Sequence, residues 1–229
     1  MSVGSLARKL LGRRLFPVVA RGYRAVFVDM VKVADSFPAV SPGTRVLDIG
    51  GGDGELLNIL LARHPELRVT MIDLNSTLGT ALRPEFRDRV EVLPRTSIRQ
   101  LAALGRPPPQ VIIISDVVHH IPVEYRVSFF EDVRDLLAGQ TAMLVVKDVE
   151  PGTFRAQLSW LADRYVSGDR NVHLIGAREL EALLGSIFPG ARCEPTDLVR
   201  RDSPNYCLHV TVPGTPASQA ASSGSAPAP

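Results

Sequence analysis

The chain has 229 residues, 45% of them hydrophobic, with 26 basic and 24 acidic side chains, a formal net charge of +2 and a pI near 8.7. That size and apolar content suit one globular domain with a substantial core. So small a net charge does not call for an extended nucleic-acid surface, and no run approaches the roughly twenty apolar residues of a membrane span or the pattern of a secretory leader. Cys193 and Cys207 lack metal-ligand spacing and read as reduced thiols of a cytoplasmic protein, although neighbouring strands would also bring them face to face.

The first 28 residues carry six basic side chains and no acid. Leu6, Leu10, Leu11 and Leu15 give this segment an apolar side, so an amphipathic helix is expected up to Pro17. A structural helix is preferred over a transit peptide or an element lying on a membrane surface. A second helical spacing runs from Val19 through Tyr23, Val26, Phe27, Met30, Val33, Ala34 and Phe37 until Pro38 and Pro42 stop it. Residues 1–40 are therefore expected to form an N-terminal helical cap.

The next stretch changes character abruptly. Val46, Leu47 and Ile49 fit a buried strand, Gly50, Gly51, Gly52 and Gly54 break it, and Leu56, Leu57, Leu60 and Leu61 then recur at helical spacing. Glycines on a strand-to-helix turn accept positive φ and let a ligand lie against bare backbone near the helix amides. A second strand pattern, Val69 to Asp73, ends in an acid about twenty residues further on, where a carboxylate can accept from both ribose hydroxyls of a nucleoside. The third glycine of a dinucleotide fingerprint would fall on Glu55 or Leu57, so that fingerprint is broken.

Ser76 is a candidate cap for a helix towards Leu82 that Pro84 ends, before a short strand from Val90 to Leu93. Val111 to Ile114 is apolar enough for a fully buried central strand, and Ser115-Asp116-Val117-Val118-His119-His120-Ile121-Pro122 follows at its end. Glu124 to Ala138 has an amphipathic spacing closed by Gly139, and the strand Ala142 to Val146 leads to a charged tip, Lys147 to Pro151. A helix is expected from Ala177 through Ile187, then strands near 191–198 and 206–212 joined by a turn at Asp202 to Asn205. Beyond Pro213 the chain is uncharged Pro, Ala, Ser and Gly, a composition expected to stay disordered.

The pattern Asp48-x-Gly50-x-Gly52-x-Gly54 resembles motif I of the class I S-adenosylmethionine-dependent methyltransferases, and Asp116 to Pro122 resembles motif IV of their small-molecule members. The likeness spans roughly residues 41–212. It implies an α/β fold with a seven-stranded, mostly parallel, doubly wound sheet whose last strand is antiparallel, and S-adenosyl-L-methionine as cofactor. By the same resemblance Gly50, Gly51, Gly52, Asp53 and Gly54 line the methionine and ribose portions, Asp48 lies near the amino group, Asp73 holds the ribose with Leu74 beside it, and Ser115 and Asp116 organise the cofactor end. Relatives carry an acid after the third strand to bind the adenine amino group. Here Pro94, Arg95, Thr96 and Ser97 stand there, so Thr96 or Ser97 is a candidate for that contact or else a helix cap.

Histidine has a pKa suited to taking a proton near neutral pH. His119 or His120 is thus the candidate base for a hydroxyl acceptor, His120 being preferred and His119 placed as a brace, with a purely structural pair as the alternative. Tyr23, Phe27, Lys147, Asp148, Trp160 and Tyr165 are the candidate substrate contacts. The expected activity is methyl transfer to a small-molecule acceptor, with the hydroxyl of a secondary metabolite as the favoured class, without metal, by a monomer or homodimer. A nicotinamide-dependent (NAD(P)) oxidoreductase and a non-catalytic cofactor-binding scaffold are the competing readings.

Overall fold

The computed structural model describes residues 30–151, 173–195 and 205–214. The expected helix up to Pro17, and Tyr23, Phe27, Trp160 and Tyr165, lie outside the described residues. The chain forms helix α1 (Met30–Asp35), strand β1 (Arg45–Ile49), α2 (Glu55–Arg63), β2 (Arg68–Asp73), β3 (Val90–Pro94), α3 (Ile98–Ala102), β4 (Val111–Ser115), α4 (Val123–Leu137), β5 (Ala142–Val149), α5 (Ala177–Ile187), β6 (Arg192–Pro195) and β7 (Asn205–Val212). The strands make one seven-stranded sheet in the order β3-β2-β1-β4-β5-β7-β6. Strands β1 to β5 pair in parallel, and β7 runs antiparallel between β5 and β6.

Apolar runs become interior strands here because both faces of a parallel sheet are covered. Side chains alternate across the pleat. Leu47, Ile49, Ile112, Ile114, Leu144 and Val146 meet one face of helices through Ile98, Phe130, Val133, Leu137, Leu180 and Leu184. Val46, Val69, Met71, Ile113 and Val145 meet the other through Leu57, Leu60, Leu61 and, from α1 and its exit, Val33, Ala34 and Phe37. Of the residues expected to form an N-terminal cap, those in α1 make a packing helix, tied to α2 by an Arg63–Asp35 ion pair at 3.0 Å.

Two elements differ from the sequence-based expectation. The helix expected from Ser76 to Leu82 does not form. Gly79 adopts φ 66°, and the amides of Gly79 and Ala81 donate instead to the carbonyls of Gly52 and Asp53, at 2.9 and 2.8 Å. Strand β5 continues to Val149, so Lys147 and Asp148 are not a solvated tip but fully buried strand residues. Cys193 stands opposite Val210 and Cys207 opposite Lys147, and the two are not joined in a disulfide, so the cysteines do not face each other. Of the expected tail, Pro213 and Gly214 are described, and Gly214 donates its N–H to Thr141 Oγ1 at 3.0 Å. No helix among the described residues is long and apolar enough to cross a membrane.

Candidate active site

The carboxyl ends of β1, β2, β3, β4 and β5 share one edge of the sheet, which gathers most of the sequence-derived candidates. Gly50, Gly52 and Gly54 all adopt positive φ, at 70°, 58° and 86°. At Gly50 the reason is steric as well, because a Cβ there would come within 2.5 Å of Val117 Cγ2, so the turn after β1 is pressed against the loop after β4. The turn is locked to β2 by Gly50 N–H donating to Ile72 O at 2.9 Å. Asp53 Oδ1 accepts the Glu55 N–H at 3.3 Å at the start of α2, and a Cβ on Gly52 would meet only the Gly50 carbonyl oxygen, at 4.0 Å.

Asp48 lies beneath this turn, 2% exposed, and no described residue donates a hydrogen bond to its carboxylate. Burial first, and repulsion by Asp73 second, push its pKa up to about 7. Among the described residues no cation lies against this acid. On the next strand, Asp73 Oδ1 accepts from the Asn75 backbone N–H at 2.8 Å and from Asn75 Nδ2 at 2.9 Å, an arrangement that fixes the carboxylate at the strand end. Leu74 beside it is 74% exposed, an uncovered apolar surface next to the candidate ribose acid.

At the end of β3, Ser97 is a helix cap: its Oγ accepts the Gln100 N–H at 3.2 Å and Gln100 Oε1 accepts the Ser97 N–H at 2.8 Å. Thr96 donates its N–H to Asp73 O at 2.9 Å and its hydroxyl to Pro94 O at 3.2 Å. Arg95 between them holds φ 54°, and Asp116 at the end of β4 holds φ 59°. Left-handed conformations cost a non-glycine residue about 1–2 kcal/mol. The remaining case, Ala138, is an ordinary left-handed helix cap on α4, so the two unexplained left-handed side chains both stand at the ligand edge of the sheet.

The loop after β4 is gripped from both faces of β5. Lys147, fully buried, pairs with Asp116 Oδ1, whose other oxygen accepts from Ser115 Oγ at 3.2 Å. Asp148, on the opposite face, takes His119: Nδ1 lies 2.5 Å from Oδ1, and the His119 N–H donates to Oδ2 at 3.1 Å. Burial alone would push the Asp148 carboxyl up, but the His119 charge and hydrogen bond, the Val149 N–H and Lys147 together hold it below the usual carboxylate range. A neutral His119 that donates its Nδ1–H to Asp148 would have Nε2 as its basic nitrogen. The His120 ring, half-buried, packs at 4.1 Å between centroids on His119.

Several residues that hold this edge were not singled out in the sequence. Asn58, 1% exposed, donates from Nδ2 to Ala81 O at 2.9 Å and Glu55 Oε2 at 3.0 Å and accepts the Arg83 N–H at 2.9 Å, so it ties the loop after β2 to α2. Arg126, also buried, donates from Nε to Ile121 O at 3.2 Å and from Nη2 to His173 O, while His173 N–H reaches His119 O at 2.9 Å. Glu150 Oε2 accepts the Ala177 N–H at 2.9 Å and so caps α5. Their signal was a polar residue at a core-facing helical position: Asn58 among leucines, and Arg126 four residues before Phe130. Asn58→Ala is expected to cost about 2–3 kcal/mol by orphaning the Ala81 carbonyl and the Arg83 amide, read as a lower urea midpoint.

A cavity of about 750 Å³ lined by Arg45, Arg68, Glu91, Arg106 and Leu101 opens at the opposite edge, by the amino ends of β1 and β2, away from all of these groups.

The comparisons with known proteins agree with this geometry. A family profile described as a methyltransferase domain matches residues 47–141. Demethylspheroidene O-methyltransferase of Rhodobacter capsulatus is 31% identical over 84 residues, which are 37% of this chain and 20% of that protein. Among solved structures, a mitomycin 7-O-methyltransferase superposes with a TM-score of 0.66 at 20% identity, covering 93% of this chain and 61% of that one. An O-methyltransferase from neocarzinostatin biosynthesis, in complex with S-adenosylmethionine and 2-hydroxy-5-methyl naphthoic acid, gives 0.61 at 20% identity, covering 87% of this chain and 57% of that one. The chain thus spans about a fifth of the length of the curated relative and about three-fifths of these solved chains. Residues 47–141 match the methyltransferase-domain profile, and the seven-stranded sheet has the fold of these solved methyltransferases.

Proposed function

We propose that the chain transfers a methyl group from S-adenosyl-L-methionine to a small-molecule acceptor, with a hydroxyl as the favoured acceptor group. The observation that carries this reading is the pairing of an uncompensated buried acid, Asp48, with an open glycine turn and a fixed acid at the next strand end, Asp73. Asp48 suits a cationic amino group, Gly52 a chain lying on backbone, and Asp73 a pair of ribose hydroxyls. The nicotinamide alternative fits less well, because an antiparallel β7 inserted beside β5 departs from the dinucleotide-binding strand order and Leu57, where a third glycine would stand, is fully buried.

When bound, the cofactor supplies a methyl group already activated on a sulfonium. The chain's own task is to align an acceptor and exclude water, which can lower the barrier by roughly 7–11 kcal/mol. A base is needed only where the acceptor carries a proton, and it then adds about 10²–10⁴-fold. Of the two histidines, His119 is supported as that base by its carboxylate partner Asp148, which orients the ring and stabilises the imidazolium. This shifts the preference away from His120, whose ring, tilted at 44° against His119, is better suited to shaping the wall beside it.

Asp73→Ala should weaken S-adenosylhomocysteine binding by at least about tenfold, since a charged acceptor of two hydroxyls is lost. Calorimetry on the folded variant checks this, and an unchanged dissociation constant removes the ribose assignment. Titration of the wild type with nicotinamide dinucleotides, and a methyl-transfer assay over a library of hydroxyl-bearing acceptors, separate the proposal from the oxidoreductase and scaffold readings.

A further inference from the structure

The cavity of about 750 Å³ at the amino edge of the sheet falls in the size range of small-molecule sites, and none of the cofactor or histidine residues discussed above lines it. Its wall follows from the strand register. On the face that α3 covers, Ile49 and Ile72 join Ile98 and Leu101 in the core, but nearer the amino ends Leu47 stands beside Thr70, Thr70 beside Glu91, and Arg45 beside Arg68. The face thus turns from apolar to polar, and Arg45, Leu47, Arg68, Thr70 and Glu91 all line the cavity.

The charges there are unequally matched. Glu91 is held by Arg106 Nη1 at 2.5 Å and by Thr70 Oγ1 at 3.4 Å, and Arg89, also on the lining, gives its guanidinium to the carbonyls of Leu61, His64 and Pro65. Arg45 and Arg68 are less fully engaged. Arg45 donates from Nε to Pro108 O at 2.8 Å and Arg68 from Nη1 to Asp88 O at 3.1 Å, which leaves both Nη of Arg45 and the Nε and Nη2 of Arg68 without a hydrogen bond to the described residues. Neither arginine forms an ion pair among those residues, and the carboxylates of Glu66 and Asp88 on the same lining form none either. Like charges on neighbouring strands, whose backbones run about 4.8 Å apart, repel each other, and an anion held between two guanidinium forks offsets that cost.

We propose that this cavity is a second ligand site, which takes a small molecule carrying a phosphate or carboxylate on a short apolar body. Arg45 and Arg68 hold the anionic group through their remaining N–H donors, and Leu101 and Leu136 supply the apolar wall beside it. The site lies at the opposite ends of the strands from the glycine turn, so it does not depend on the cofactor reading given above.

The test is calorimetry on the full chain with phenyl phosphate, benzoate and inorganic phosphate at constant ionic strength. At least one of the two ring-bearing anions should bind with a Kd below about 1 mM, and the tighter of them identifies the anionic group. Inorganic phosphate, with no apolar body, should bind at least about fivefold more weakly than that compound. Arg45→Gln and Arg68→Gln should each weaken the tighter compound by about tenfold, the loss expected when a charged donor is removed. Both side chains are exposed, so melting temperatures should stay near that of the wild type. Saturating S-adenosylhomocysteine, and the Asp73→Ala change, should leave this binding unaltered. The proposal is overturned if both ring-bearing anions bind more weakly than about 1 mM, if inorganic phosphate binds as well as they do, if neither glutamine variant loses affinity, or if S-adenosylhomocysteine competes. A chain that binds these anions but no S-adenosylhomocysteine would lose the cofactor assignment and keep this site.

Discussion

Asp48→Asn is expected to stabilise the ligand-free protein at neutral pH while damaging its affinity for cofactor. The Asp48 carboxyl has a pKa of 3.8 when unperturbed and about 7 in the fold, so the folded state binds more protons than the unfolded chain between those values. Stability attributable to this group is therefore lost as pH rises from about 4 to about 7, and the full penalty, about 4 kcal/mol, is present above that window. Asparagine, which does not ionise, escapes it. Denaturant titrations of wild type and variant should diverge progressively as pH is raised through the window and converge near its lower end. Parallel curves would show that the buried carboxyl is not ionised at a cost. In the same variant S-adenosylhomocysteine should bind more weakly by about tenfold, because the amide cannot meet an ammonium with a charge. For the wild type this links ligand to proton: binding a cation beside Asp48 should release a proton, measurable as a buffer-dependent heat.

His119→Ala should lower single-turnover methyl transfer to a hydroxyl acceptor by about 10²–10⁴-fold, with His120→Ala losing much less. Removing one member of a buried pair can cost about 3–5 kcal/mol, so His119→Gln, which keeps a polar group against Asp148, serves as the milder companion. Calorimetry with S-adenosylhomocysteine verifies that each variant retains its cofactor site. A base at His119 predicts that a titrating limb of the wild-type pH–rate profile disappears in His119→Gln. The large loss falling on His120 instead would move the base to the neighbouring ring. Near-normal transfer and an unchanged profile in all variants would leave alignment as the account of the chemistry.

How much of this was legible in the sequence depended on how local each cause was. The turn after β1 could be read because strand period, glycines and helix period follow one another within a dozen positions or so, and the cap at Ser97 because its partner Gln100 lies three residues away. The length of β5 could not. Its apolar run stops at Val146, and the strand continues through Lys147 and Asp148 only because Asp116 and His119, far away in sequence, neutralise them. The false helix after Ser76 has the same origin. Its local cap was plausible, but the amides of Gly79 and Ala81 had better partners on the glycine turn. The expected acceptor contacts Tyr23, Phe27, Trp160 and Tyr165 all fall outside the described residues, and Lys147 and Asp148, the other two, are fully buried against Asp116 and His119.

The grip on the loop after β4 constrains how such a protein can diversify. Because consecutive residues of β5 point to opposite faces, the order Lys147-Asp148 dictates which face receives a cation and which an anion, and the loop answers with Asp116 and His119. A change at Asp116 strands the buried Lys147 and a change at His119 strands the buried Asp148, so drift in the loop must pass through paired substitutions. New acceptors are then more readily accommodated by altering the pocket's other walls than by remodelling this loop, whose inheritance is effectively that of a four-residue block.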